Sequence, residues 1–345
     1  MSSPSMGTIV PFPSLQSLGL LDSRALANEA ATRHDFLVED LIFDRSVNLA
    51  VGDSGLGKSA LVCQLGVCVA AGLPFFGHSV QRGPVIYLDG ESPLREFEEV
   101  LETISRFLGL SRAPENFYAF NPDWVSIDPS ISEDDRLRRQ IDHVKPKLVI
   151  VDPLRVFWPQ AEGKSEEATK VIKRLRGLSR GSGASWLIVH HCRKTDQSAA
   201  PTSLEESPHQ WLQSAAGARA LINQSDTRIG IDTSSKPTSD LVMSGFVRLL
   251  GTIPPVFIVR ELNDDGDPFG YRALEGVQHL NEKYQAIYET LPQQFRFKTL
   301  KGHLSASSSR HFLDQCLALQ LVRKLGKGEG YTKVGQVPGP TGPSR

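Results

Sequence analysis

The stretch that decides the reading is Val47-Asn48-Leu49-Ala50-Val51 followed by Gly52-Asp53-Ser54-Gly55-Leu56-Gly57-Lys58-Ser59. An apolar-rich run of strand length meets a glycine-rich turn. The segment from Lys58 to Ala71 then suits a helix. The eight residues of the turn fit the pattern G-x-x-x-x-G-K-[ST] in the strand-to-helix setting it requires. Glycine lets the chain double back so that successive backbone N–H groups point inward, and the helix N-terminus adds about half a positive charge. Such a cradle suits phosphate oxygens, with Lys58 reaching the β- and γ-phosphates and the Ser59 hydroxyl reaching Mg²⁺. Gly52, Asp53, Ser54, Gly55, Leu56, Gly57, Lys58 and Ser59 are therefore the expected binding loop for ATP or GTP.

Working outward, apolar runs of strand length alternate with helical segments from about 36 to 190. The strands are expected at 47–51, 84–88, 117–120, 148–151 and 186–189, and the helices at 58–71, 94–108, 133–144 and 165–180. KLVIVD and SWLIVHH barely alternate in polarity, as strands covered on both faces should. The fold class is therefore α/β: a mostly parallel sheet with helices on both faces. From 226 the pattern turns β-rich (227–231, 241–250, 255–259 and 271–274), which predicts an antiparallel extension of the same sheet. Residues 1–35 read as a flexible lead with a short helix near 22–32, and 36–275 as the nucleotide-binding domain. After a connector at 276–281 comes a small module over 280–334, with a disordered tail over 335–345.

The acids that accompany such a loop lie at strand ends. Leu148-Val149-Ile150-Val151-Asp152 is an apolar strand ending in a carboxylate, so Asp152 is the expected Mg²⁺ partner of Ser59. VIYL ends in Asp89-Gly90-Glu91, and parallel strands open onto one crevice, so Glu91 is the expected base for the attacking water. Helix capping is the alternative, with Asp89 or Ser92 starting the helix over 94–108 and Glu91 in its first turn. SWLIV ends in His190-His191, and one of these, preferably His191, is expected to sense the γ-phosphate.

Composition removes several classes. With 40% hydrophobic and 22% charged residues the chain is neither wholly disordered nor membrane-embedded. Its most apolar stretch, 65–76, is too short for ~30 Å of hydrocarbon. No basic segment followed by an apolar run marks the first thirty residues, so a cytoplasmic protein is expected. Net charge is −1, so any nucleic-acid contact must be local. The four cysteines lack metal-site spacing and read as reduced.

GDSGLGKS, YLDGES, KLVIVDP and IVHHCRK, in this order, resemble the RecA-fold ATPases of the RepA type, hexameric replicative helicases related to the DnaB-like ones. The resemblance covers about 36–275. It implies a ring or other homo-oligomer with ATP at subunit interfaces, DNA in a central channel, and a basic residue completing the neighbour's site. Arg228 matches that finger position best, with Arg219 and Lys236 as rivals. It also implies that the loops over 156–168 and 192–212 face the channel, with Lys164, Arg193 and Lys194 against the strand. The second loop also carries Asp196, Glu205 and Glu206, a mixed charge for a DNA channel.

Residues 281–334 read as helix, helix, short turn, helix and then two strands around a glycine-rich turn, which predicts a winged helix-turn-helix. From 292 to 334 eight basic residues, including Lys298, Lys301, Arg310, Arg323, Lys324 and Lys327, face only Asp314 and Glu329, a local charge of +6. That favours phosphate contacts, with Ser308, Ser309 and His311 toward base edges. Two functions follow as expectations: an ATP-driven motor on DNA, or an ATP-switched DNA-binding regulator or loader. A RecA-fold protein kinase is a third, but no residue positions an acceptor.

Overall fold

A computed structural model describes residues 36–120, 136–161, 164–191, 202–215, 219–263, 266, 268–276, 280–325 and 329–334. The expected lead over 1–35, the tail over 335–345 and residues 192–201 of the 192–212 loop, with Arg193 and Lys194, lie outside these residues, as does Lys327.

The phosphate-loop strand β3 (Val47–Gly52) sits inside a nine-stranded sheet. Its parallel neighbours are β7 (Ser185–His191) on one side and β8 (Thr227–Thr233) on the other. Beyond β7 come β6 (Leu148–Asp152), β4 (Val85–Asp89) and β5 (Phe117–Phe120), all parallel. Beyond β8 the sheet continues antiparallel through β9 (Leu241–Val247), β10 (Gly251–Leu262) and β11 (Pro268–Ala273). The phosphate-loop strand and the Asp152 strand are thus separated by β7 alone. This arrangement fits a RecA-like core, with the expected antiparallel extension present.

Period-two alternation sends the strand residues to two apolar layers. Val47, Leu49, Val51, Ile86, Leu88, Val149, Val151, Trp186 and Ile188 belong to one. It is covered by α3 (Arg136–Val144), α4 (Leu154–Phe157), α5 (Ser165–Ser182), α6 (Pro208–Ala215) and α7 (Arg219–Gln224). Ala50, Val85, Tyr87, Leu148, Ile150, Leu187 and Val189 belong to the other. It is covered by α1 (Lys58–Ala71), α2 (Leu94–Phe107) and the hairpin β1 (Phe36–Val38) and β2 (Ile42–Phe43). Burial on both faces is why these strands lack an alternating sequence. Helix α1 is buried nearly all round, from Leu61 to Ala70, which explains its uniform apolarity.

Strand ends and small elements depart from the sequence expectation. Asp89, Asp152 and His191 are the last residues of their strands, because paired backbone carries each strand past its last aliphatic residue. The strand expected at 255–259 is the long β10, whose pairing with β9 shifts between Ile253 and Val256, where Pro254 and Pro255 remove two ladder donors. The hairpin at 36–43 had no strong pattern in the sequence; its pairing also shifts register, between Phe36 and Val38.

Downstream lie α8 (Glu282–Thr290), β12 (Gln294–Phe295), α9 (Phe297–Leu300), α10 (Ala306–Ala318), β13 (Val322–Lys324) and β14 (Tyr331–Lys333), with the strands paired β12-β14-β13. The helix expected over 298–304 is only one turn, Phe297–Leu300. Leu280, Tyr284, Ile287, Leu300, Phe312, Cys316 and Val322 continue the first apolar layer without a break from Phe257 and Leu274. Hydrogen bonds join the two regions as well: Gly276 N–H donates to the Leu319 carbonyl, and the Gln320 side-chain amide donates to the Phe76 carbonyl. No helix among the described residues is long and apolar enough to cross a membrane.

Candidate nucleotide and metal site

Parallel pairing aligns the carboxyl ends of β3, β7, β6 and β4, so their terminal residues meet along one edge. The pairing sets Gly52 beside His191 and Asp89 beside Asp152. The loop itself turns through Gly55 at φ +82° and Gly57 at φ +83°, a region that disfavours every side chain. Lys58 is 4% exposed and folds over the loop, donating to the Asp53 carbonyl at 2.5 Å. Its ammonium, which can only donate, also reaches Nδ1 of His191 at 3.3 Å, and Ser54 Oγ lies 3.2 Å from the same nitrogen. Of the two histidines, His191 therefore joins the loop. His190, one residue earlier, is turned to the opposite face and buried at 2% exposure.

Asp152 is 4% exposed and takes hydrogen bonds from the Tyr87 hydroxyl and the Ser59 side chain. Burial pushes its carboxyl up from 3.8 to about 6. Those two bonds oppose the shift, and the nearby Asp89 and Glu91 charges add to it. The same surroundings raise Tyr87 well above the ordinary tyrosine range, burial first and then the Asp152 charge. A hydroxyl and a desolvated carboxylate, with further acids close by, form a hard oxygen donor set. A divalent cation relieves the charge crowding there, so the residues fit Mg²⁺ held by Ser59 and Asp152.

Asp89 accepts the backbone N–H groups of Glu91 at 2.9 Å and Ser92 at 3.1 Å. These bonds close the turn after β4; the helix that follows, Leu94–Phe107, starts after Pro93 and has no side-chain cap, so neither Asp89 nor Ser92 caps it. The Glu91 side chain is left to project, half exposed, and meets the guanidinium of Arg155.

Several contributors escaped the sequence reading. Tyr271 on β11 donates its hydroxyl to the Gly57 carbonyl at 3.0 Å. Arg260 on β10 donates to the Leu56 carbonyl at 2.8 Å, so the antiparallel extension braces the phosphate loop from outside. Gln64 exchanges two bonds with the Tyr271 backbone at 2.8 and 2.9 Å, tying α1 to β11 at the edge of the sheet. A lone amide in an apolar helix was the one available signal. Tyr87, Arg155, Tyr271 and Arg260 carried none, since each contact links segments far apart in the chain.

The expected finger is corrected. Arg228 is 8% exposed, near the start of β8 opposite Leu49, and donates to the Ser225 carbonyl at 3.2 Å. Its guanidinium also stacks over Phe246 at 5.5 Å. A finger must project from the surface, and this arginine is consumed inside its own chain. Lys236 likewise lies over the Phe257 ring at 3.8 Å, and the side chain of Arg219 lies outside the described residues.

In the C-terminal module Lys298, Lys301, Arg310, Arg323 and Lys324 are exposed. Lys333 packs over the Tyr288 ring at 4.6 Å. Ser308 and His311 stand at the surface or near it, but Ser309 is wholly buried and is withdrawn from any base-edge role.

Among solved structures, a KaiC-like protein from the hyperthermophilic archaeon Pyrococcus horikoshii is similar, at 13% identity with a TM-score of 0.42. The match covers 69% of this chain and 93% of that one. A family model described as an AAA domain (AAA_25) matches residues 14–197, more than half of the 345. That span holds the phosphate loop, Glu91, Asp152 and both histidines, and ends before the C-terminal module. The chain therefore belongs to this AAA domain family.

Proposed function

We propose that this protein binds and hydrolyses ATP with Mg²⁺ and works on DNA as a RecA-like motor, in the manner of RepA- or DnaB-like replication ATPases. The observation that carries the enzymatic part is the convergence of Lys58, Ser59, Asp152 and His191 at one edge of the sheet, with Glu91 beside them. Lys58 offers its charge to the β- and γ-phosphates, leaving the Asp53 carbonyl as it does so. Ser59 and Asp152 would hold Mg²⁺, which when bound would supply charge neutralisation for the phosphates. Glu91 takes a proton from water as its oxygen bonds to the γ-phosphorus and the bond to the leaving diphosphate breaks. His191 touches both Lys58 and Ser54, so loss of the γ-phosphate changes its surroundings first.

The DNA part rests on the C-terminal module. Its order of helix, strand, short helix, helix and two-stranded hairpin supports the winged-helix reading, and its exposed basic residues favour phosphate contacts. The continuous apolar layer joining it to the sheet favours a role in which nucleotide state alters DNA grip. That same observation supports the second reading, a switched regulator or loader without unwinding. A homo-oligomer, such as a hexameric ring, belongs to the motor reading.

Nucleotide titration and steady-state hydrolysis test the enzymatic part. Lys58→Ala is expected to lose nucleotide binding, and Glu91→Gln to keep binding while turnover drops at least about 100-fold. Normal hydrolysis by Glu91→Gln removes that residue from the mechanism. For the DNA part, Lys298, Lys301, Arg310 and Arg323 are changed together to Glu and duplex affinity is followed against salt. Expected are weaker binding and a shallower salt slope, by about 0.9 for each phosphate the protein no longer neutralises. Unaltered binding refutes this surface, and strand separation by the wild type separates motor from regulator.

A further inference from the structure

Arg155 lies three residues past Asp152, in the one-turn helix α4, and reaches across to the turn that follows β4. Its Nε donates to Oε1 of Glu91 at 3.1 Å, and its Nη2 donates to the same oxygen. The two segments are built to lie against each other. Gly90 N–H donates to the Asp152 carbonyl at 2.8 Å, and a side chain at Gly90 would meet Val156 Cβ at 2.6 Å. A residue without a Cβ is what lets α4 rest on the turn carrying Glu91. Asp89 fixes the backbone of that turn through the N–H groups of Glu91 and Ser92. Backbone and carboxylate of Glu91 are thus pinned from two different segments, the end of β4 and the helix α4.

We propose that Arg155 is the positioning residue for Glu91: it anchors Oε1 through two donors and leaves Oε2 as the oxygen that accepts the proton of the attacking water. The inference rests on the reading of Glu91 as the base. In that step the water oxygen bonds to the γ-phosphorus while one of its protons passes to Oε2. The γ-phosphorus–oxygen bond breaks, and its electron pair leaves on the diphosphate. A carboxylate fixed at one oxygen has fewer orientations to lose on reaching the transition state, which is where the rate advantage arises. The two side chains are 49% and 43% exposed, so their pairing does little for stability and its value lies in orientation. Because α4 leads into the segment after the Asp152 strand, the same contact makes that segment the support of the base.

The test uses the full chain and compares Mg·ATP hydrolysis by wild type, Arg155→Ala, Arg155→Lys, Glu91→Gln and the Glu91→Gln/Arg155→Ala double variant. Arg155→Ala is expected to lower kcat about tenfold or more with KM within about twofold, and its unfolding midpoint to stay within about 3 °C of wild type. Arg155→Lys, with a single ammonium nitrogen in place of the planar fork, is expected to recover part of the loss. On the residual activity of Glu91→Gln, removing Arg155 is expected to cost nothing more. The proposal is overturned if Arg155→Ala keeps the wild-type kcat, or if it costs the same factor with and without Glu91. A shift in unfolding midpoint with unchanged kcat also overturns it, since that marks a purely structural tie. The two readings fail differently. An active Glu91→Gln removes the base itself, whereas an inactive Glu91→Gln beside a normal Arg155→Ala removes only the arginine.

Discussion

Replacing Asp152 by Asn is expected to make the metal-free protein more stable while destroying its turnover. Asp152 is buried, and its carboxyl is raised from 3.8 to about 6, chiefly by that burial. A carboxyl raised in the folded state binds its proton more tightly there than in the unfolded chain. Its contribution to stability is therefore full below about 3.8 and is lost as pH climbs through about 6. The interval is about two pH units at about 1.36 kcal/mol each, so holding the ionised group in the fold costs about 3 kcal/mol above pH 7. Asparagine has nearly the same shape, keeps an oxygen for the Tyr87 hydroxyl and carries no charge. In EDTA, urea unfolding should give the variant an advantage of up to about 3 kcal/mol at pH 8, shrinking toward none near pH 4. With Mg·ATP added, the wild type gains stability through binding and the variant should gain much less. A variant that is less stable at pH 8, or whose advantage does not change with pH, would falsify the idea that a desolvated charge waits for a cation here.

Two further substitutions probe the bracing of the loop. Gly57→Ala forces a Cβ into the left-handed region and against the Tyr271 hydroxyl. It is expected to cost about 2 kcal/mol or more and to weaken nucleotide binding, read by thermal unfolding and by titration. Gln64→Leu leaves the Tyr271 N–H and carbonyl without partners inside the protein and should cost about 2–4 kcal/mol in urea unfolding. A neutral effect of Gln64→Leu would show that water or a shifted β11 serves that edge equally well.

How much was legible in advance follows the range of each interaction. GDSGLGKS is contiguous, so its turn, its helix and its ligand class could be read directly, and the aliphatic runs marked the parallel strands. Asp152, Glu91 and His191 could be read because each follows such a run and parallel strands share an edge. The finger assignment to Arg228 did not survive, because strand position alone does not tell whether an arginine faces outward or lies beneath Phe246. Ser309 shows the same limit on a helix, where one step around the axis separates solvent from core.

The sequence by itself determined the phosphate cradle, the α/β alternation and the identity of the acids, since all of these depend on neighbours along the chain. Only the tertiary structure decided which histidine meets Lys58, that Arg155 grips Glu91, and that Tyr271 and Arg260 brace the loop from more than two hundred residues away. The reason is physical: strand order and register put those atoms within hydrogen-bonding reach. Register arises from packing both faces of the sheet at once, which no local pattern encodes.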